Sequence, residues 1–319
     1  MSGHVVAIVG ATATGKSRLA IELALALGGE VVNADSMQLY RGMDIGTAKV
    51  TAAERNGVPH HLLSIWDVTQ TASAAGYQVL AREAIDGILA RGRVPILAGG
   101  SGLYVRAAVD DLHFPGTDPN VRERLEAELH REGPAALHAR LSVLDPAAAA
   151  VILPSNGRRI VRALEVIELS GRTFSATLPG YDSGRPSVQI GLGLPRDELD
   201  RRITARVDHM WQAGLEAEVR ALAGAGLRKG KTASRALGYQ QMLRYLDGEW
   251  ALDAAREETI KATKRFARRQ ESWFRRDPRI TWLDATAANL PAQALDLLSA
   301  QAPACSPPRP PPDPRPAPA

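Results

Sequence analysis

The chain has 319 residues, of which 45% are hydrophobic and 23% are charged, values typical of a globular protein with one large or two smaller domains. Its net charge of +4 excludes a strong overall basic field, so any surface for nucleic acid must be a local patch. The single cysteine, Cys305, excludes a disulfide framework and a zinc site built from cysteines.

The first half of the chain predicts alternating strands and helices. VVAIVG, GEVVNAD and RVPILAGG have strand character, whereas KSRLAIELALAL and SAAGYQVLAREAIDGILARG have helical periodicity. This order predicts an α/β fold whose core is a parallel sheet with helices on both faces. The core is of the P-loop type, in which a phosphate-binding loop follows the first strand. Ligands bind at the carboxyl ends of such strands, so we expect the polar segments 10–17, 33–40 and 99–104 to converge.

The sequence patterns of a membrane span and of a secretion signal are not found in the first half of the chain. The longest apolar run, LAIELALAL, is short and contains Glu22, so we expect no membrane span. No basic-then-apolar secretion signal precedes the first strand. Together with the use of a single cysteine, these features lead us to expect a cytoplasmic protein.

The pattern changes near FPGTDP. Residues 1–115 are predicted to form the first part of the core, and residues 116–184 show only helical periodicity, which predicts an all-helical insertion domain. SVQIGLGL returns to strand character, so residues 185–300 are predicted to complete the core with C-terminal helices and a last edge strand, RITWLD. Residues 301–319 are rich in proline and are expected to be disordered.

GATATGKS, residues 10–17, has the spacing of a phosphate-binding loop. Gly10 and Gly15 let backbone N–H groups point into one concavity, to which the following helix adds its positive N-terminal end. Lys16 is placed to reach the terminal phosphates and Ser17 to bind Mg²⁺. The other members of the loop are Ala11, Thr12, Ala13 and Thr14. Alone, the loop predicts only a site for a diphosphate or triphosphate.

Two further polar clusters follow the second and third strands. For Asp35 in isolation, a turn or a helix cap is the commoner explanation. Its position opposite the phosphate loop favours a general base instead, because the metal-binding aspartate of an ATPase would follow four apolar strand residues, unlike EVVNAD. In ILAGGSGLYVRA a tight turn explains the glycines, but it does not explain the hydroxyl of Ser101.

Positive charge is concentrated in two helical segments and in the loop LRKGKTASR. The first helical segment, NGRRIVRALEV, contains Arg158, Arg159 and Arg162. The second contains Lys261, Lys264, Arg265, Arg268 and Arg269, followed by Arg275, Arg276 and Arg279. A solvated helix face explains any single run equally well. Several runs in a chain of net charge +4 favour a polyanion as partner.

These motifs resemble those of the tRNA dimethylallyltransferases, also called tRNA isopentenyltransferases, of the bacterial type. They cover about residues 5–284 in the family's order: GATATGKS, NADSMQLYRGMDIGTAKV, PHHLLSIWDV, ILAGGSGLYVRA, TDPNVRERL, NGRRIVRALEV, SRALGYQQM and KRFARRQESWFRR. Only the phosphate loop is shared with kinases at large. Eukaryotic relatives add a Cys₂His₂ zinc finger, for which this chain lacks the cysteines.

The resemblance implies a reaction and its substrates. Enzymes of this family use the loop to hold the diphosphate of dimethylallyl diphosphate. With Mg²⁺, they transfer the dimethylallyl group to the exocyclic N6 amine of the adenosine immediately 3′ of the anticodon. The base is flipped into a channel that the donor enters from the other side. The expected partners are dimethylallyl diphosphate and the anticodon stem-loop of tRNA, and the expected protein is a monomer.

The resemblance also implies roles for individual residues. Asp35 is expected to be the general base, and Ser101, where many members carry threonine, to hydrogen-bond at the reaction centre. Lys16 and Arg235 are expected to hold the diphosphate. The residues expected to bind tRNA are Asp35, Ser36, Met37, Gln38, Ser101, Arg122, Arg158, Arg159, Ile160, Val161 and Arg162. The helical insertion is expected to close over the anticodon loop, and the late basic helix to meet the stem.

Three alternatives stay open on the sequence. A P-loop kinase for a small metabolite would need an ATP base pocket and a lid arginine. A prenyltransferase acting on free adenine nucleotides would need neither the basic helices nor the insertion. A non-catalytic RNA-binding protein would not need a phosphate loop, Asp35 and Ser101 at three adjacent strand ends.

Overall fold

The computed structural model describes residues 3–174, 180–181 and 184–301. Its strands are β1 (Val5–Gly10), β2 (Glu30–Asn33), β3 (His60–His61), β4 (Pro95–Gly99), β5 (Ser187–Gly193) and β6 (Ile280–Asp284). They form one six-stranded sheet in the order β3-β2-β4-β1-β5-β6, and every pair of neighbours is parallel. The predicted parallel sheet is confirmed, and RITWLD is its edge strand β6. The opposite edge, β3, has too few residues to show any strand periodicity.

Helices connect and cover the strands. They are α1 (Lys16–Leu27), α2 (Ala74–Ala90), α3 (Gly102–Val109), α4 (Pro119–Leu144), α5 (Pro146–Val151), α6 (Gly157–Ser170), α7 (Arg196–Gln212), α8 (Leu215–Gly224), α9 (Tyr239–Leu246), α10 (Leu252–Phe274) and α11 (Leu290–Gln301). In the described part of the chain, each helix is too short or too polar to cross a membrane.

Alternate residues of the central strand β1 face two different apolar layers, as the two-residue period of a strand requires. Val5, Ala7 and Val9 pack with residues of α2 and α3. Val6 and Ile8 pack with residues of α1 and α11. Because both faces are covered, β1 is apolar throughout rather than alternating. The predicted placement of helices on both faces of the sheet is confirmed.

Helices α4, α5 and α6 form an insertion between α3 and β5 with an apolar cluster of its own. Leu125, Leu141, Ile160 and Leu164 are buried together in that cluster. The described part of the predicted insertion is all-helical, and its exact limits stay a prediction. Residues 175–179 and 182–183 of the predicted insertion, and residues 302–319 of the predicted tail, lie outside the described residues.

Both ends of the insertion are fixed next to the end of α3. On the outgoing side, the guanidinium of Arg162 donates to the carbonyl oxygens of Pro115 and Gly116, at 2.7 and 3.1 Å. On the returning side, the N–H of Arg185 donates to the carbonyl oxygen of Val109 at 2.9 Å. The chain therefore returns to the core close to the point at which it leaves.

Close backbone contacts join the ends of β2 and β4. The N–H of Ala34 donates to the carbonyl of Ala98 at 2.8 Å, and the N–H of Ser101 donates to the carbonyl of Ala34 at 3.2 Å. Between these bonds, a Cβ atom on Gly99 would lie 2.2 Å from the carbonyl carbon and oxygen of Ala34. Only glycine fits there, so Gly99 sets the position of the strand end that leads to Asp35.

We expect Gly99→Ala to destabilise the protein, because the added methyl group would force the ends of β2 and β4 apart. Overpacking of this kind typically lowers the free energy of unfolding by about 1–3 kcal/mol. Urea denaturation would measure the change. Gly224→Ala is the matched control, since a Cβ there meets no atom within 4 Å and a helix favours alanine. Equal unfolding midpoints for the two variants would contradict the constraint.

Candidate active site

The three polar segments that follow β1, β2 and β4 meet, as the sequence predicts. The N–H of Ser36 donates to the hydroxyl oxygen of Ser101 at 3.1 Å, and the Ser101 hydroxyl donates to that of Ser36 at 3.3 Å. A cavity of about 50 Å³, here called the central cavity, is bounded by Thr12, Lys16 and Asp35, among other residues. Three residues of the phosphate loop, Thr12, Lys16 and Ser17, therefore border the same small cavity as the carboxylate of Asp35.

The phosphate loop has the backbone geometry that its glycines predict. Gly10 has φ 141°, and a Cβ there would lie 2.8 Å from the carbonyl oxygen of Leu192. Gly15 has φ 91° and directly precedes α1. The ammonium of Lys16 donates to the carbonyl oxygen of Ala11 at 2.5 Å. The lysine is thus folded back across the loop.

Arg206, on α7, places a second cation beside Lys16. Its guanidinium donates to the carbonyl oxygen of Thr47 at 3.0 Å, and it lines the central cavity with Lys16. Desolvation by burial and the nearby Arg206 charge lower the pKa of Lys16 to about 7, against the opposite effect of Asp35. Burial likewise lowers the pKa of Arg206. Two poorly solvated cations in one small cavity form a site for a polyanion.

Arg206 is a residue that the sequence analysis misses. It lies next to the buried face of α7, to which Ile203 and Val207 belong. An arginine among the apolar positions of a helix is the sequence signal that could have identified it. Arg235, predicted for the same task, is exposed and lines an adjacent larger cavity instead of the central one. Its role in holding a diphosphate stays a prediction.

One oxygen of the Asp35 carboxylate is fixed by a turn. The N–H of Met37 donates to Oδ1 at 2.9 Å, and the N–H of Asp35 donates to Oδ1 of Asn33 at 3.0 Å. The amide of Asn33 in turn donates to the carbonyl of Leu62 at 3.0 Å. Within the described residues, Oδ2 of Asp35 has no such bond. It can therefore accept a proton from a ligand in the cavity.

Two larger cavities lie on either side of the central one. The first, of about 290 Å³, is bounded by Asp35, Ser36, Ser101 and Arg235. The apolar part of its wall includes Met37, Ile203, Val207, Met210, Leu237 and Phe266. We call it the apolar cavity.

The second cavity, of about 520 Å³, is bounded by Lys16, Ser17 and Val50, among other residues, and we call it the outer cavity. Arg206 lines all three cavities. The three spaces therefore adjoin one another, from Ser17 on one side to Ser101 on the other. Gln38, predicted to bind RNA, borders the central cavity and donates to the carbonyl of Thr47 at 3.1 Å.

Two of the arginines predicted to bind RNA pair with a buried carboxylate. Glu165 is fully buried and accepts hydrogen bonds from Arg122 and, at 2.7 Å, from Arg162. Burial raises the pKa of Glu165, but the bonds with the two arginines outweigh burial and hold it below its usual value. These ion pairs stabilise the insertion, and the contact of Arg122 and Arg162 with RNA stays a prediction.

The neighbouring positions differ in exposure. The side chains of Ile160 and Val161 are buried in the apolar cluster of the insertion and hold helix α6 in place, and their predicted contact with RNA stays a prediction. Arg158 and Arg159 are exposed on the first turn of α6. Within this stretch, only arginine side chains are accessible to a partner.

The late basic segment also divides into two parts. Arg265, Arg268 and Arg269 are exposed on α10. Arg279, beyond the helix, pairs instead with the buried carboxylates of Asp110 at 2.7 Å and Asp277 at 2.6 Å. Arg279 is therefore a structural residue, whereas the exposed arginines of α10 form a basic surface.

Comparisons with known sequences extend over most of the chain. The profile of the IPP transferase family matches residues 38–277. A tRNA dimethylallyltransferase of Streptomyces coelicolor is 68% identical over 298 residues, which cover 92% of this chain and 96% of that protein. A protein of the same name from Thermobifida fusca is 64% identical over 306 residues, which cover 94% of this chain and 96% of that protein.

Solved structures have the same fold. The tRNA isopentenylpyrophosphate transferase of Bacillus halodurans superposes with a TM-score of 0.69 at 43% identity, covering 93% of this chain and 95% of that chain. A eukaryotic dimethylallyltransferase acting on tRNA superposes with a TM-score of 0.79 at 27% identity, covering 94% of this chain and 80% of that chain.

The lowered pKa of Lys16 leads to a prediction about anion binding. Protonated Lys16 attracts an anion and neutral Lys16 does not, so the affinity for inorganic diphosphate should fall as pH rises through about 7, by up to about tenfold per pH unit. Titration calorimetry between about pH 6 and pH 9 would measure it. Lys16→Arg is the control, because its charge persists while the ligand's own titration is unchanged. The same pH dependence in both proteins would rule out this role for Lys16.

Proposed function

The chain belongs to the IPP transferase family, and from this premise we propose that it transfers a dimethylallyl group from dimethylallyl diphosphate to tRNA. The acceptor is the exocyclic N6 amine of the adenosine immediately 3′ of the anticodon, and diphosphate is released. The observation that carries the proposal is the row of three cavities that share Arg206, with Asp35 between the phosphate loop and an apolar wall. The names of the relatives do not favour the kinase alternative.

The diphosphate and the hydrocarbon of the donor bind in two different environments. Backbone N–H groups of the phosphate loop, Lys16 and Arg206 bind the diphosphate in and beside the central cavity. The apolar cavity, with Ile203 and Phe266 in its wall, takes the branched hydrocarbon. As the bond between carbon and diphosphate breaks, negative charge builds on the leaving oxygens. The fixed cations then stabilise the transition state more than the ground state.

The acceptor adenine reaches the carboxylate from the apolar cavity. The target adenine is stacked on its neighbours in the anticodon loop, so the base must be flipped out of that stack to enter. Oδ2 of Asp35 accepts the proton that the amine loses as its nitrogen bonds to the allylic carbon. The hydroxyl of Ser101, already bonded to Ser36, lies at the same wall and orients the base. Holding both reactants in line supplies much of the acceleration.

Mg²⁺ is the proposed cofactor, and the residues fit an ion that arrives with the diphosphate. Among the described residues, no group of three His, Cys, Asp or Glu side chains is arranged to hold a metal. Ser17 is exposed on the first turn of α1 and borders the outer and central cavities. Its hydroxyl would add one ligand to the oxygens of the substrate, a common mode of Mg²⁺ binding. When bound, the ion would neutralise charge on the leaving diphosphate.

The anticodon stem-loop is the proposed form in which the acceptor is bound. The exposed basic surface of α10, together with Arg158 and Arg159 of the insertion, supplies positive charge for the RNA backbone. Phe266 and Arg269 of α10 also border the apolar cavity, so the surface that would meet the stem-loop continues into the cavity that would take the flipped base.

The test is prenyl transfer in a defined mixture. Purified protein, Mg²⁺, dimethylallyl diphosphate and an unmodified anticodon stem-loop should give RNA in which one adenosine has gained a dimethylallyl group, as detected by nucleoside mass spectrometry. A stem-loop with guanosine at the target position is the control and should not react. Consumption of ATP with a small acceptor, and no prenyl transfer, would overturn the proposal.

Replacing the proposed base should slow the chemical step selectively. Asp35→Asn keeps the shape of the side chain but removes its capacity to take a proton. General-base catalysis is worth about 10²–10⁴-fold, so the single-turnover rate constant should fall by that factor while RNA affinity stays within about twofold. Asp67→Asn, at an exposed carboxylate paired with Arg41, is the matched control. A rate constant for Asp35→Asn within about threefold of wild type would remove Asp35 from this role.

A further inference from the structure

Gln270, on α10, connects two of the three strand-end segments. Its amide oxygen accepts a hydrogen bond from the N–H of Thr12 at 2.9 Å. Its amide nitrogen donates to the carbonyl oxygen of Gly100 at 2.8 Å. One buried amide group thus joins the phosphate loop to the turn that carries Ser101.

The amide of Gln270 packs closely against the backbone of the turn that carries Ser101. A Cβ atom on Gly100 would lie 2.2 Å from the amide nitrogen of Gln270, so the bond requires glycine at that position. One turn earlier on the helix, Ala267 belongs to the same buried apolar cluster as Ala11 of the phosphate loop. Helix α10 therefore packs beside the loop and is bonded to it through Gln270, whose amide sets the orientation of Thr12.

The same helix also faces the acceptor side of the site. Phe266 and Arg269 border the apolar cavity, whereas Gln270 borders the central cavity with Lys16 and Asp35. Thr12 borders both cavities. A shift of α10 toward or away from the sheet would change the distance between the diphosphate end of the site and the Ser101 end.

We propose that Gln270 is a positioning residue for prenyl transfer, which fixes the separation between the phosphate loop and the turn bearing Ser101. The inference rests on the proposed function. Gln270 takes and releases no proton and forms no bond to a reacting atom. It acts by holding Thr12 and Gly100 so that the allylic carbon and the adenine amine meet in line. In such reactions a misplacement of about 1 Å costs on the order of 10²-fold in rate.

Two substitutions test this role. Gln270→Met keeps the volume of the side chain but removes both hydrogen bonds, so the single-turnover rate constant should fall about 10–100-fold while RNA affinity stays within about twofold. Gln270→Glu keeps an acceptor for Thr12 but places a negative charge in the central cavity. It should weaken binding of inorganic diphosphate by about a further tenfold relative to Gln270→Met, because like charges repel at short range.

The control is Gln293→Met on α11, which removes an exposed side-chain bond to Asn289, the residue before that helix. It should leave rate and affinities unchanged. If the Gln270 amide were only structural, Gln270→Met would have a lower urea midpoint, and its rate constant and its RNA affinity would fall together. If wild type prenylates RNA and Gln270→Met does so within about threefold, the positioning role is wrong. If Gln270→Met does not fold, a single-turnover rate constant for Gln270→Glu within about threefold of wild type would refute it, because the carboxylate cannot donate to the carbonyl of Gly100. Absence of prenyl transfer by wild type would instead refute the proposed function.

Discussion

The site depends on the close backbone approach between the ends of β2 and β4. A parallel sheet brings strand ends to one edge, but this alone leaves them as far apart as neighbouring strands. At Gly99 the absence of a side chain allows the Ala34 carbonyl to lie against β4 and to accept the N–H of Ser101. Asp35 and Ser101 thereby come to border the same cavity as Thr12 of the phosphate loop.

The charge distribution around the central cavity favours an anionic donor before any RNA is bound. Lys16 and Arg206 lie close enough to lower the pKa of Lys16, and both are poorly solvated. This arrangement is unfavourable in the empty protein because two like charges are held where water screens them weakly. An anion bound between the two cations would relieve this repulsion, and that relief would add to the free energy of its binding.

The sequence predicts those parts of the site that follow directly from strands. The strand pattern and the glycine spacing lead to the phosphate loop, Asp35 and Ser101, because each follows the carboxyl end of a strand. Arg206 and Gln270 come from helices far along the chain, and Thr12 and Gln270 are 258 positions apart. Local periodicity cannot predict such a contact, although both are polar residues on largely buried helix faces. A run of basic residues likewise cannot show that Arg122 and Arg162 pair with Glu165.

The insertion leaves the core after α3 and returns to it through the bond between Arg185 and Val109. Because the two crossing points are adjacent, β5 takes its place beside β1 whatever the length of chain between them. The insertion packs around its own apolar cluster, and its described residues contribute no strand to the sheet. Because of this arrangement, the insertion can become longer or shorter, or be replaced, without disturbing the sheet. The helical insertion can then diverge faster in sequence than the sheet whose strand ends position Asp35 and Ser101.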